Sequence, residues 1–341
     1  MNRILCSGVF CGVALVSLAR AEEPIRHIEP IIIDEAPEHL KKVDARHWAA
    51  VFSPDGKAVA ITAGWYNPAE PGELRLWDVA TKRLRLIVRQ QFTIRTVAFS
   101  PDGKYLAIGD FNGQPQLLDP RSGQLRAQIP KHDKILNSIV FTPDSKILVS
   151  SSFDGRIKLW DIAAEKFQPE LAAPGEKFNS ISISPDGSRL VASTREGKLH
   201  GWDLPTRKLR YSHQVCNSIA EIVAFAPDGK TFASGDYEAQ AKIWDAETGK
   251  VLIDLQGHDT PVLMVAYSPD GKTLASSDAV GNIMLWSPAT GKQLANWQAH
   301  SAATFGLAFS PDGKQLLTTS QARDPKLWDL KTQKLITTLE R

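Results

Sequence analysis

The sequence predicts an all-β fold, a ring of four-stranded antiparallel blades repeated seven times, and two recurring signatures predict it. The first is a turn. Ser53-Pro54-Asp55-Gly56 returns as Ser100-Pro101-Asp102-Gly103, then with small changes around Pro143, Pro185, Pro227, Pro269 and Pro311. The prolines are 47 residues apart once and then 42 apart five times running. The second signature keeps the same step: Trp77-Asp78, Leu118-Asp119, Trp160-Asp161, Trp202-Asp203, Trp244-Asp245, Trp286-Ser287 and Trp328-Asp329. A period of this length marks a repeat architecture, and short strands inside each unit make it a seven-bladed β-propeller.

Each unit supplies its strands in order. In the third, the apolar run 138–141 forms the innermost strand. The Thr142-Pro143-Asp144-Ser145 turn follows, with proline fixing φ at its second position. A second strand over 147–151, a turn at Phe153-Asp154-Gly155 and a third strand through Lys158-Leu159-Trp160 come next. A Thr-Gly-Lys-like corner then leads to a fourth strand, clearest at 250–255. One blade cannot bury both of its faces, so stability requires neighbours and finally closure of the ring.

The composition fits a globular chain of 341 residues, with 40 Lys and Arg against 38 Asp and Glu. Two of the basic residues, Arg3 and Arg20, lie in the first 21 positions, so the body is neutral and gives no electrostatic case for nucleic acid. Residues 1–21 read as a secretory signal: Arg3, an apolar run over 4–18, then Ala19-Arg20-Ala21 with cleavage before Glu22. The run is short for a membrane span, so an uncleaved anchor is the weaker reading and no stable insertion is expected after cleavage. The expected organisation is a signal at 1–21, an extended segment at 22–45 and the propeller at 46–340. Cys6 and Cys11 leave with the signal, and Cys216 alone cannot form an intramolecular disulfide. Export without disulfides suits a periplasm as well as a secretory route.

With these residues in place the chain resembles the WD-repeat (WD40, G-beta-repeat) family over 46–339. The resemblance implies a buried hydrogen-bonded tetrad of His, Ser or Thr, Asp and Trp in each blade. The third copy matches in full with His132, Ser150, Asp154 and Trp160. The sixth has His258, Ser276 and Trp286 but Val280 at the acid position, and the seventh has His300, Thr318 and Trp328 with Ala322 there. The fifth reads Cys216, Ser234, Glu238 and Trp244; the fourth keeps Glu196 and Trp202; the second has lost the set. Closure is expected from the C-terminal strand 335–339 as the fourth strand of blade seven, with Ile31-Ile32-Ile33 pairing at an edge or lying across the ring.

Alternating strand direction sorts the connections onto two faces. The Ser-Pro-Asp-Gly turns and the corners after Trp-Asp share one face and barely change. The loops before the first strands and the turns between second and third strands share the other and vary from blade to blade, which is where specificity on a rigid scaffold resides. In the family, partners touch three positions per blade on that face. Carried over, they give Arg46, Trp48, Arg95, Asn137, Lys177, Asn179, Glu221 and Phe305, and before the acid position Phe111, Phe153, Arg195 and Tyr237. Thr93, Ile135, Ile219, Pro261, Leu263 and Ala303 belong to the same series. An insertion of six residues in blade one, within 64–73, adds Trp65 and Tyr66. Aromatic and Arg side chains anchor interfaces. Arg46, Arg95, Lys177 and Arg195 against Glu221 favour a partly acidic protein or peptide partner, bound by a monomer.

His132, His258 and His300 stand at equivalent places in three different blades and cannot converge on one metal ion. No nucleophile elbow, phosphate-cradling glycine loop, His-Glu-x-x-His run or paired Cys-x-x-Cys is present. The expectation is therefore a binding scaffold without catalysis or cofactor. A propeller that captures a peptide or small ligand is the nearer alternative, and an enzyme with its site at the channel mouth the more distant one.

Overall fold

The computed structural model describes residues 31–32, 46–65, 70–321 and 325–339. The expected signal at 1–21, most of the 22–45 segment, and Tyr66 and Ala322 lie outside them. Every regular element among the described residues is a strand. The first sheet contains β1 (Ile31–Ile32), β2 (Arg46–Phe52), β3 (Ala58–Gly64), β4 (Gly72–Asp78) and β5 (Leu84–Gln90) in the order β1-β5-β4-β3-β2. Six four-stranded antiparallel sheets follow, over 94–128, 136–172, 178–214, 220–255, 262–298 and 304–338. The expected seven-bladed all-β propeller is therefore what the chain forms.

The repeated turn works as a small hydrogen-bonded unit. Ser53 Oγ donates to Asp55 Oδ1 at 2.7 Å and accepts from the Ala58 amide at 2.9 Å, while the Lys57 amide donates to the same carboxylate oxygen at 3.1 Å. The same set recurs at Ser100, Ser268 and Ser310. Neighbouring turns also touch. A Cβ on Gly56 would lie 3.5 Å from Pro311 of blade seven, and Gly187 meets Pro143 in the same way. Where blade three has Ser145 for glycine, its hydroxyl accepts from the Asp102 amide of blade two at 3.1 Å. This face spends its polar groups on itself.

Apolar contacts between blades carry the fold. Val149 and Leu159 of blade three meet Phe178, Ile181, Leu190 and Trp202 of blade four in one buried cluster. The ring closes through another, in which Ala50, Val59, Ile61 and Trp77 of blade one pack with Leu317, Leu327 and Leu339 from the last blade. The C-terminal strand 334–338 is the fourth strand of blade seven, with Leu327 opposite Thr337. Ile31 and Ile32 pair with Ile87 and Leu86 on the outer edge of blade one. The first outcome is the one the sequence leads to expect, and the second takes the edge pairing out of the two placements left open.

The corners between third and fourth strands all contain one left-handed residue: Lys82, Gly123, Glu165, Arg207, Gly249, Gly291 and Gln333. At two of the three glycine corners the preceding blade presents a large side chain. A Cβ on Gly249 would lie 2.7 Å from Tyr211, and one on Gly291 would lie 2.6 Å from Ile253. Blade six has Ala295 at the corresponding position, and it shares a cleft with Gln333. At these seams the blades thus trade bulk. Gly291→Gln is expected to cost about 2–4 kcal/mol from overpacking and left-handed strain. Combining it with Ile253→Ala should return at least ~1 kcal/mol relative to additivity, read as a coupling energy in a denaturant double-mutant cycle. Simple additivity would refute the exchange.

Candidate functional site at the mouth of the ring

Every inner strand contains a register shift at the same place. The residues within these bulges are Trp48, Arg95, Asn137, Asn179, Glu221, Leu263 and Phe305, one from each blade. A bulge bends the strand and re-aims a side chain, and here several of the seven meet around the axis. Arg95 of blade two reaches Glu221 of blade five at 3.6 Å, and blades so far apart in the ring can touch only across its axis. The Arg95 guanidinium lies 4.9 Å over Trp48 and 6.0 Å from the Phe305 ring. Trp48 in turn meets Phe111 at 5.7 Å and Phe305 at 5.6 Å. Asn179 Nδ2 donates to the Ala220 carbonyl at 3.2 Å and toward Glu221 Oε2 at 3.4 Å, and Asn137 donates to the Phe178 carbonyl at 3.1 Å. Burial pushes the Glu221 carboxyl above its ordinary range, opposed by the charges of Arg95 and Arg195.

Two residues of the expected contact series are committed to the mouth itself. Trp48 and Phe305 are 3% and 8% exposed, so they pack within the mouth instead of facing outward. The bulge reorients their side chains, which spacing along the chain does not reveal. Arg95 is likewise committed to Glu221, so these two cancel in the charge balance of the face.

Around the mouth stand the outer positions, and a repeated backbone bond joins them. The amides of Phe111, Phe153, Arg195 and Tyr237 donate to the carbonyls of Thr93, Ile135, Lys177 and Ile219 at 2.9–3.1 Å. Ala279 and Gln321 donate to Pro261 and Ala303 in the same way. Two families of positions far apart in sequence thus form one rim. Lys177, Arg195 and Tyr237 are exposed, Arg46, Phe111 and Phe153 half-buried, and the Arg195 guanidinium lies 5.3 Å over Phe153.

Blade one departs most from its siblings. The insertion lengthens the β3–β4 hairpin, pairing Ala63 with Glu73. Thr93 of blade two clips its base: the hydroxyl accepts from the Trp65 amide at 3.0 Å and donates to the Trp65 carbonyl at 2.9 Å. Trp65 itself is 38% exposed. Beneath it, Glu73 pairs with Arg75 at 2.9 Å and Arg89 at 3.2 Å, and His47 Nε2 accepts from Arg75 Nη1 at 3.1 Å. Residue types alone did not single out this buried charged group, because the insertion hides its register.

The tetrads anchor the loops before the first strands to the blades. Blade six shows a full relay: Trp286 Nε1 donates to Ser276 Oγ at 2.8 Å, Ser276 donates to His258 Nε2 at 2.6 Å, and His258 Nδ1 lies 3.3 Å from Asp278. The acid is therefore Asp278, two residues before Val280, at the end of the second strand. Burial works against its charge, but bonds from His258 and Asn282 hold Asp278 down to about 2. Blade three carries the complementary correction. His132 bonds Ser150 at 2.8 Å and Asp154 at 2.9 Å, but the Trp160 indole N–H has no partner among the described residues. Its ring meets Phe167 edge-on at 5.0 Å instead. Burial pushes the Cys216 thiol up to about 11, consistent with an inert filler of its slot. Ser276→Ala removes two buried bonds and should cost about 2–3 kcal/mol, whereas Ser150→Ala removes one and should cost roughly 1 kcal/mol less. Equal losses in urea titration would contradict these assignments.

Together these features define a closed propeller with one self-bonded face and one built of divergent loops. The family model described as WD domain, G-beta repeat, matches residues 83–116, 123–161, 206–245, 249–287 and 291–329. These segments cover more than half of the chain, which belongs to the WD40-repeat family. The stretch between the second and third matches, 162–205, holds most of blade four, the copy that keeps only Glu196 and Trp202 of its tetrad. Family membership fits a protein-binding scaffold. Among the described residues no three His, Cys, Asp or Glu side chains gather as a metal site.

Proposed function

We propose that this chain is an exported scaffold without catalytic activity, which holds a protein or peptide partner on the loop-bearing face of its ring. One observation supports the reading above others. Arg195 stacked on Phe153, with Lys177 and Tyr237 exposed on neighbouring loops, forms a rim of the side chains that anchor interfaces. The opposite face offers turns whose polar groups already bond one another.

With Glu221 engaged by Arg95, the exposed charges that this rim presents are those of Lys177 and Arg195. That balance favours a partly acidic segment, guided in by long-range attraction. A ligand threaded along the axis is the weaker reading, since Trp48, Phe305 and Arg95 fill this mouth. Export rests on the charged, apolar and small-residue pattern of 1–21.

Affinity capture from the envelope or secreted fraction tests the scaffold. Phe153→Ala with Tyr237→Ala should lower recovery of the partner at least tenfold, while Lys104→Ala with Lys272→Ala on the repeated face should leave it unchanged. Recovery that survives the first pair would overturn the reading, and a fall with the second would move the site to the repeated face.

A further inference from the structure

The contacts around Glu221 are those of a receptor filled by its own chain. Its carboxylate is held from two sides, by Arg95 at 3.6 Å and by Asn179 at 3.4 Å. Charge-assisted bonds of this kind settle near 2.7–2.9 Å when unconstrained, so the grip is long. The side chains of Arg95 and Glu221 are 19% and 12% exposed, so the pair lies just beneath the surface of the mouth. Arg95 has a second support besides Glu221, since its guanidinium lies 4.9 Å over the Trp48 ring and 6.0 Å from that of Phe305. Were Glu221 to turn out into water, it would regain hydration and leave behind an oriented guanidinium and an amide donor. Lys177 and Arg195 stand exposed on the adjoining loops, where they would bring an anionic chain to that point.

We propose that Arg95 and Asn179 form a carboxylate receptor at the mouth of the ring, which Glu221 occupies in the free protein and a partner's carboxylate takes over on docking. The inference rests on the scaffold reading and gives it a recognition chemistry. The incoming group is an Asp or Glu side chain or a C-terminal carboxylate, since both offer the same two acceptor oxygens. No covalent step is involved. One ion pair replaces another, and the free protein is thereby held against neutral peptides and against loose association.

Three fluorescent hexapeptides test the exchange by anisotropy: hexaglutamate with an amidated C-terminus, hexaglutamine with a free C-terminus, and amidated hexaglutamine. Glu221→Gln should bind at least one carboxylate-bearing peptide roughly tenfold more tightly than the unaltered protein does. The peptide that gains identifies the source of the carboxylate. Arg95→Gln combined with Glu221→Gln should erase the gain, and amidated hexaglutamine should not bind any of the three proteins. The double variant removes both charges together, and its circular dichroism controls for folding. No gain with either carboxylate peptide, or a gain that persists without Arg95, overturns the receptor. If the receptor fails here while Phe153→Ala with Tyr237→Ala still abolishes capture, the scaffold stands without it. If capture survives those substitutions, the scaffold itself falls.

Discussion

The seam between blade seven and blade one is the contact on which the remaining structure depends. Ala50, Val59, Ile61 and Trp77 meet Leu317, Leu327 and Leu339 there. Each sheet is too thin to shield its own apolar side chains and buries them only against the next sheet. A ring left open at this seam would expose the cores of both terminal blades. The C-terminal strand supplies the last edge, and the close approach of the Gly56 and Pro311 turns continues the seam onto the turn face. Closure therefore comes from packing along the height of the blade, and among the described residues the chain's two ends exchange no strand.

Closure also explains the division between faces. On the turn side most of the repeated turns satisfy their own amides, and five of their glycines lie against the proline of a neighbouring turn, so the copies had little room to differ. On the loop side every inner strand carries a bulge, several of the bulged side chains meet around the axis, and among the described residues one backbone bond in each of six blades fixes the rim around them. Backbone geometry there is constant and side-chain chemistry is not. That combination lets Trp48, Arg95, Glu221 and Phe305 close the mouth while Phe153, Lys177, Arg195 and Tyr237 stay outside it.

The repeat spacing made the fold legible, because a 42-residue step fixes the number of strands per blade and the number of blades. It also placed the C-terminal strand correctly. Spacing failed where a side chain's direction mattered. Trp48 and Tyr237 both belong to the carried-over contact series, yet the bulge buries the first while the turn exposes the second. Counting likewise put the sixth acid at Val280, although Asp278, in the sequence Asp278-x-x-Gly281, is the residue that reaches His258. The Arg95–Glu221 pair spans 126 positions and depends on opposed blades, so no local pattern announces it. The bulk exchange at Gly249 and Gly291 was readable in principle, since Tyr211 and Ile253 lie one blade earlier at fixed offsets.

The central claim is that one face of this closed ring is committed to internal bonding and the other to recognition. Hydrogen exchange measured on the chain with and without its captured partner addresses that claim directly. Slowed exchange confined to the loops bearing Phe153, Lys177, Arg195 and Tyr237, with unchanged rates at the Ser-Pro-Asp-Gly turns, is the predicted result. Protection concentrated at those turns, with the loop face unaffected, would contradict it.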